Sequence, residues 1–224
     1  MQKLAHGVHK FQQEVFGAHR ELFTKLAEKQ APHTLFITCS DSRISPNLLT
    51  QTAPGEIFIL RNAGNIVPSY GGQIGGEAAT IEFAVAGLGL EHIVVCGHSN
   101  CGAMKALLEP ETVRDLPAMR SWLANAEVTR RVVAENYPDR CGDDLLNVVT
   151  QENVLAQLES LRTHPAVASR IAAGTLHLHG WVYKIPTGEV FAYDPAEGQF
   201  RPLAEAPVVS IKARYFGSPD AIGT

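Results

Sequence analysis

The chain lacks the features that would hold a nucleic acid or cross a membrane. Its 224 residues include 19 Lys plus Arg against 23 Asp plus Glu, a formal charge of -4, with no basic run long enough to follow a phosphate backbone. No nucleic-acid partner is expected. No window approaches the roughly 20 apolar residues of a spanning helix, since even Ile81 to Cys96 is broken by Glu82, Glu91 and His92. The segment from Met1 to Lys29 carries charges throughout and has no continuous apolar block of the kind a secretory signal needs, so a cytoplasmic protein is expected. Cysteine is scarce as well. In a reducing compartment Cys39, Cys96, Cys101 and Cys141 read as thiols or metal ligands rather than a disulfide framework. Repeats, low-complexity tracts and linkers are also missing, so residues 1–224 read as one domain. Gly71-Gly72 and Gly75-Gly76 lack the G-x-x-x-x-G-K pattern of a phosphate loop and read as a flexible turn into a helix.

What the sequence has is apolar patterning, with 45% of residues hydrophobic. Leu4, Val8, Phe11, Val15, Leu22 and Leu26 recur at helical spacing, which predicts a helical arm over residues 1–30. Thr34 to Thr38, Glu56 to Leu60 and Ile93 to Cys96 are short runs apolar on both faces, as strands of a covered parallel sheet are. Helical patterns separate them, notably Ala78 to Leu88, and after Cys101 come a short helix, a longer one over Pro117 to Tyr137 and a third over about Asp144 to Thr163. In the last, Leu145, Val148, Val149, Leu155, Leu158 and Leu161 are assigned to the buried stripe, and Gln151, Glu152, Gln157 and Glu159 to the wet face. Leu176 to Lys184 and Glu189 to Tyr193 flank Pro186-Thr187-Gly188 as a hairpin would. The expected architecture is α/β: a mostly parallel sheet of about four strands, an antiparallel edge strand, and helices on both faces.

Two segments place sulfur or imidazole just beyond a strand, where open α/β sheets bind ligands: Cys39-Ser40-Asp41-Ser42-Arg43, and Cys96-Gly97-His98-Ser99-Asn100-Cys101-Gly102. Two thiolates and one imidazole, Cys39, Cys101 and His98, form a set suited to zinc with an open fourth position, as in catalytic sites. A structural or redox role for the thiols, or no metal at all, fits the same spacing. Cys96 lies on the strand with its side chain expected in the core, and Cys141 lies in a polar loop. Arg43 can hold the Asp41 carboxylate by two parallel hydrogen bonds, or the pair can simply satisfy a turn.

C-x-D-x-R from Cys39, R-N-A-G-N from Arg61 to Asn65, and H-x-x-C from His98 to Cys101 together resemble the beta class of carbonic anhydrases, in order and near the usual separations. The likeness runs from the N-terminal helices to Leu178-His179-Gly180-Trp181 and is nearest to plant-type enzymes, including cyanobacterial carboxysomal ones. It implies one Zn2+ per subunit on Cys39, His98 and Cys101, an orienting dyad of Asp41 and Arg43, and a substrate donor in the Gly102 backbone N–H. Gln30, Phe58, Ala63 and Phe83 match substrate-pocket positions. The implied activity is reversible hydration of carbon dioxide to bicarbonate and a proton by zinc-bound hydroxide, in a homodimer or an assembly of dimers. Packaging in a carboxysome is the alternative address. The same chemistry would also serve a hydrolase of carbon disulfide or carbonyl sulfide. A related branch has an inhibitory bicarbonate site that includes a Trp at the position of Phe36, with Arg61 and Tyr183 matching its other members. Without that indole, no bicarbonate-locked state is expected. The other histidines, among them His92, His164, His177 and His179, read as surface or hydrogen-bonded core residues.

Overall fold

Strand β1 (Thr34–Cys39) is buried on both faces, because Leu35 and Ile37 point one way, Phe36 and Thr38 the other, and both sides are covered. In the computed structural model, which describes residues 1–71 and 75–203, this strand lies inside a six-stranded sheet. Gly72, assigned from sequence to a turn, lies outside the described residues, whereas Gly71 has a φ of 103° and Gly76 opens the helix that follows.

The chain begins with α1 (Gln2–Lys10), which continues through a π-type turn at Phe11–Val15 into α2 (Phe16–Ala18), followed by α3 (Arg20–Glu28). None of these segments contains a buried residue. Leu4 and Val8 are 68% and 54% exposed, and the rings of Phe11, Phe16 and Phe23 pack on one another, with the Arg20 guanidinium over Phe16. After β1 come α4 (Pro46–Thr50), β2 (Ile57–Asn62), α5 (Gly76–Glu82) with a π-type extension at Phe83–Gly87, β3 (His92–His98) and α6 (Gly102–Leu108). Then follow α7 (Pro117–Leu123), α8 (Glu127–Asn136), α9 (Gly142–Arg162), α10 (Pro165–Ala172), β4 (His177–Tyr183), β5 (Val190–Asp194) and β6 (Gln199–Pro202).

The sheet order is β2-β1-β3-β4-β5-β6, the first four strands parallel and the last two antiparallel. The four parallel strands and the β4–β5 hairpin follow the sequence pattern; β6, short and half-exposed, carries no comparable apolar signal. The main core lies between Leu35, Ile37, Ile93, Val95, Leu178 and Val182 of the sheet and Ile81, Val154, Leu158 and Val167 of the helices. The opposite face is thinly covered: Phe36, Ile44, Val94 and Cys96 pack against Leu49, Trp181 and Tyr183. A third cluster, around Ile66, Met104, Leu107, Leu123 and Val149, seats the loops that follow β1 and β3.

Two helical readings need correction. The Pro117 to Tyr137 pattern is two helices, broken by a 3-10 turn at Ala124–Ala126, where the Asn125 side-chain amide donates to the Trp122 carbonyl and competes with the helical ladder. In α9 the buried stripe is Leu146, Val149, Thr150, Asn153, Val154, Gln157, Leu158 and Leu161, which keeps Val149, Leu158 and Leu161 of the expected stripe and leaves Leu145, Val148 and Leu155 partly buried at its edges. Gln157, expected on the wet face, is buried, because its Oε1 accepts from the Val67 N–H and its Nε2 donates to Asn153 Oδ1. Satisfied amides cost little to bury.

Helix α9 reaches the sheet over Gly97 and Gly180. A Cβ on Gly97 would meet Val154 at 3.0 Å and Thr150 at 3.1 Å; one on Gly180 would meet Val154 at 3.0 Å and Leu158 at 3.1 Å. Gly97→Val is therefore expected to lower unfolding stability by about 1–3 kcal/mol through overpacking. Urea unfolding midpoints with an unchanged m-value would register it.

Candidate metal centre

Parallel strands β1 and β3 are neighbours, and their carboxyl ends deliver Cys39 and His98 to one place, with Cys101 one turn of loop further on. The ligand atoms of Cys39, His98 and Cys101 lie within 4.8 Å of one another, all three residues being buried. The two sulfurs are 3.9 Å apart, in hydrogen-bond contact and not joined by a disulfide. Two thiolates on one tetrahedral zinc, each about 2.3 Å from it, would sit about 3.8 Å apart. His98 Nδ1 donates to the Ser99 carbonyl at 2.9 Å, which fixes the tautomer and leaves Nε2 with its lone pair. Among the described residues that Nε2 has no hydrogen-bond partner, although it is buried. An orphaned imidazole nitrogen beside two thiols is the donor set of a zinc site, so the residues fit the ion.

The sulfurs are electrostatically unequal. The Cys101 thiol and the Gly64 N–H, the latter at 3.3 Å, both point at Cys39 Sγ and pull its pKa down against the cost of burial, while Cys101 is pushed up in turn. Complete burial pushes Cys96 up to about 12, and its side chain lies on the opposite face, so it remains a core thiol, as its place on the strand implied. Cys141 is exposed at the start of α9.

Asp41 stands at the rim of this set, with Oδ2 3.8 Å from His98 Nε2. Both its oxygens are held by Arg43: Nε donates to Oδ1 at 2.9 Å and Nη2 to Oδ2 at 2.7 Å, with the Arg43 N–H also on Oδ1. These Arg43 hydrogen bonds keep the Asp41 carboxyl far below its usual range. Arg43 Nη2 further donates to the Asn100 carbonyl and so ties the Cys39 loop to the Cys101 loop. Asn100 has a φ of 57°, which turns the chain sharply between His98 and Cys101. Gly102, exposed, is the first residue of α6.

The R-N-A-G-N segment supplies the scaffold, a role that its sequence did not disclose. Arg61 donates to the carbonyls of Cys39, Asp41 and Ile44, wrapping the turn after β1. Asn62 brackets Ile66, accepting from its N–H and donating to its carbonyl. Gly64 has a φ of 82°, and a Cβ there would lie 2.9 Å from the Ala103 Cβ, so only glycine brings this N–H to the Cys39 sulfur. The Ala63 carbonyl accepts from Trp122 Nε1, and the Gly64 carbonyl from Asn153 Nδ2. Asn153→Ala is expected to leave that buried carbonyl unpaired, at about 1–3 kcal/mol, and to weaken zinc retention by loosening Gly64. Thermal unfolding together with zinc competition against a chelator measures both.

The remaining sequence candidates divide. Ala63 packs against the cluster containing Cys39 and Cys101. Gln30 is exposed between α3 and β1, and Phe58 packs against the main core with its ring 6.1 Å from that of Phe83, which is 51% exposed. Phe58 pairs with Leu35, four residues before Cys39, a separation of about 13 Å along the strand. Within one chain Phe58, with Phe83 beside it, therefore stands away from the cysteines. Phe36 is 1% exposed and meets the Trp181 ring edge-on at 6.0 Å.

The family model described as "Carbonic anhydrase" matches residues 34–190. A carbonic anhydrase of Synechocystis is 50% identical over 195 residues, covering 87% of this chain and 71% of the relative. One from Pseudomonas aeruginosa is 49% identical over 210 residues, covering 93% of this chain and 94% of the relative. Among solved structures, that of the beta-carbonic anhydrase CcaA superposes with a TM-score of 0.89 at 49% identity, covering 90% of this chain and 98% of that one.

Proposed function

Since this chain belongs to the beta class of the carbonic anhydrase family, we propose that it hydrates carbon dioxide reversibly to bicarbonate and a proton at a zinc ion held by Cys39, His98 and Cys101. The observation that carries this reading is the buried, unpartnered Nε2 of His98 beside two thiols. When bound there, zinc supplies the Lewis acid that brings the pKa of a water toward roughly 7.

The chain's own residues do the rest. Asp41, held ionised and in one orientation by Arg43, accepts a hydrogen bond from the attacking water without taking its proton and so aims the water's lone pair toward the substrate carbon. The Gly102 N–H, exposed in the first turn of α6, donates to a substrate oxygen as negative charge develops. Arg43, through the Asn100 carbonyl, keeps the two loops in register during turnover. Arg61 has its guanidinium on three backbone carbonyls and Phe36 offers no donor, which supports an enzyme without a bicarbonate-locked state.

The exposed apolar stripe of the N-terminal helices supports a homodimer or an assembly of dimers. Gln30, Phe58 and Phe83 would then line a substrate pocket only where a second copy brings them to the cysteines. Sedimentation is expected to give a mass at least twice the 24.2 kDa of one chain, and a monomer would remove that pocket.

Stopped-flow carbon dioxide hydration by the zinc-loaded protein tests the activity. Fast turnover that rises from roughly pH 7 to 9 is expected. Zinc-bound protein inactive on carbon dioxide but active on carbon disulfide or carbonyl sulfide would overturn the substrate assignment.

A further inference from the structure

The two residues between His98 and Cys101 are each held by a different part of the chain. Asn100 turns the backbone at a φ of 57°, and its carbonyl accepts from Arg43 Nη2 at 3.0 Å, on the β1 side. Ser99 is tied to the β4 side. Its N–H donates to the Tyr183 carbonyl at 2.9 Å, just past the last β3–β4 pair of His98 with Tyr183. Its carbonyl accepts from His98 Nδ1 at 2.9 Å, and its Oγ accepts from the Ile185 N–H at 2.9 Å. Ile185 belongs to the turn between β4 and β5, which is closed by the Lys184 N–H on the Glu189 carbonyl at 2.8 Å and the Gly188 N–H on the Lys184 carbonyl at 2.9 Å. Between this turn and α9 opens a cavity of about 300 Å³, bordered by Ser99, Asn100, Leu146, Lys184 and Phe191. Side-chain packing is thin where the turn meets the loop, so the Ser99 hydroxyl makes the connection.

We propose that Ser99 is a positioning residue of the metal centre: its hydroxyl, anchored on the Ile185 N–H, steadies the peptide whose carbonyl orients the His98 imidazole. The proposal rests on the zinc reading above and adds to it a residue that touches neither metal nor substrate. Partners of the outer nitrogen of a metal-bound imidazole set its tautomer and ring orientation, and their loss weakens the ion's hold. Here that partner is a backbone carbonyl in a sharply turned loop, so its direction depends on what restrains the loop. Arg43 restrains the peptide after Asn100, and the Ser99 hydroxyl restrains the one before it. Alanine at this position would keep the N–H and the carbonyl, and with them the contact to Tyr183. It would remove the link to the β4–β5 turn and leave the Ile185 N–H unpaired. In the sequence His98-Ser99-Asn100-Cys101 the serine reads as an ordinary turn residue, because its partner lies 86 residues further along the chain.

The test is zinc competition against a chelator, run on the zinc-loaded wild-type, Ser99→Ala and Ser99→Thr proteins. Ser99→Ala is expected to hold zinc about 10-fold more weakly. Ser99→Thr keeps the hydroxyl, and the cavity beside residue 99 has room for a methyl group, so wild-type affinity should return. The visible absorption of the Co2+-substituted proteins gives a second reading, because ligand-field bands respond to the direction of the His98 nitrogen rather than to overall stability. The bands should be displaced in Ser99→Ala and native in Ser99→Thr. Equal zinc affinity and an unchanged Co2+ spectrum in Ser99→Ala, even with a lowered unfolding midpoint, would make the serine merely structural and overturn the proposal. A threonine variant that binds zinc no better than the alanine variant would do the same. Wild-type protein that takes up no zinc would instead overturn the zinc reading itself, and this proposal with it.

Discussion

Cys101→Ala is expected to release zinc and to lower kcat/KM by at least about 10³-fold, since the several kcal/mol a Lewis acid contributes amount to a factor of that order. The side chain is buried, and the N–H groups of Ala103 and Met104 in the first turn of α6 point at its sulfur. Alanine keeps that backbone turn but removes one of three donors. The remaining pair, Cys39 and His98, sits on adjacent strand ends and cannot enclose an ion. The fold should survive: the main core between the sheet and α5, α9 and α10 includes neither Cys39 nor Cys101. Metal analysis beside stopped-flow rates, with far-UV circular dichroism as the folding control, checks the result. One zinc per chain together with a near-normal rate would remove Cys101 from the ligand set.

Asp41→Asn is expected to act differently, retaining zinc while turnover falls by about 10²–10³-fold. The substituted amide would present one acceptor and an NH2 group to Arg43, which offers only donors, so the bidentate clamp breaks and the carboxylate charge is lost. Arg43→Ala should behave similarly, and Arg43→Lys should not rescue it, because an ammonium cannot grip both oxygens in one plane. The pH profile separates orientation from titration. Arg43 lowers the Asp41 pKa beneath its ordinary value of 3.8, so the carboxylate stays charged throughout pH 7 to 9. The alkaline rise in rate is therefore not the ionisation of Asp41, and both variants should change the height of the profile while leaving its midpoint in place. Rates close to wild type in both would exclude the dyad from the reaction.

The sequence could be read furthest where chemistry and local pattern coincide. Cys39, His98 and Cys101 were identifiable because strand runs apolar on both faces end just before them, and because parallel strands align their carboxyl ends. The Asp41–Arg43 pair was identifiable because the partners are two residues apart, a separation over which geometry is nearly fixed. Arg61 was visible only as part of a motif: its partners, the carbonyls of Cys39, Asp41 and Ile44, are contributed by a turn about 20 residues earlier in the chain, and backbone acceptors leave no compositional trace.

Helix α9 shows where pattern reading fails. Its apolar residues alone gave a stripe of which Val149, Leu158 and Leu161 are buried, yet Leu145 and Val148 stay partly exposed because Asn153 and Gln157 face inward. Their amides close on the Gly64 carbonyl and the Val67 N–H, partners about 90 residues away that no local window contains. Likewise His92 and His177 are far apart in the chain, and the parallel register that makes them neighbours is set by the sheet as a whole.

By itself, then, the sequence determined the α/β class, the parallel strands and the candidate metal-ligand set of Cys39, His98 and Cys101, because side-chain chemistry and hydrophobic period are local properties. Only the tertiary structure decided which polar groups could be buried, which face α9 presents and which histidines meet. Those outcomes depend on hydrogen-bond partners and strand order distant in sequence, where each buried donor must find its acceptor.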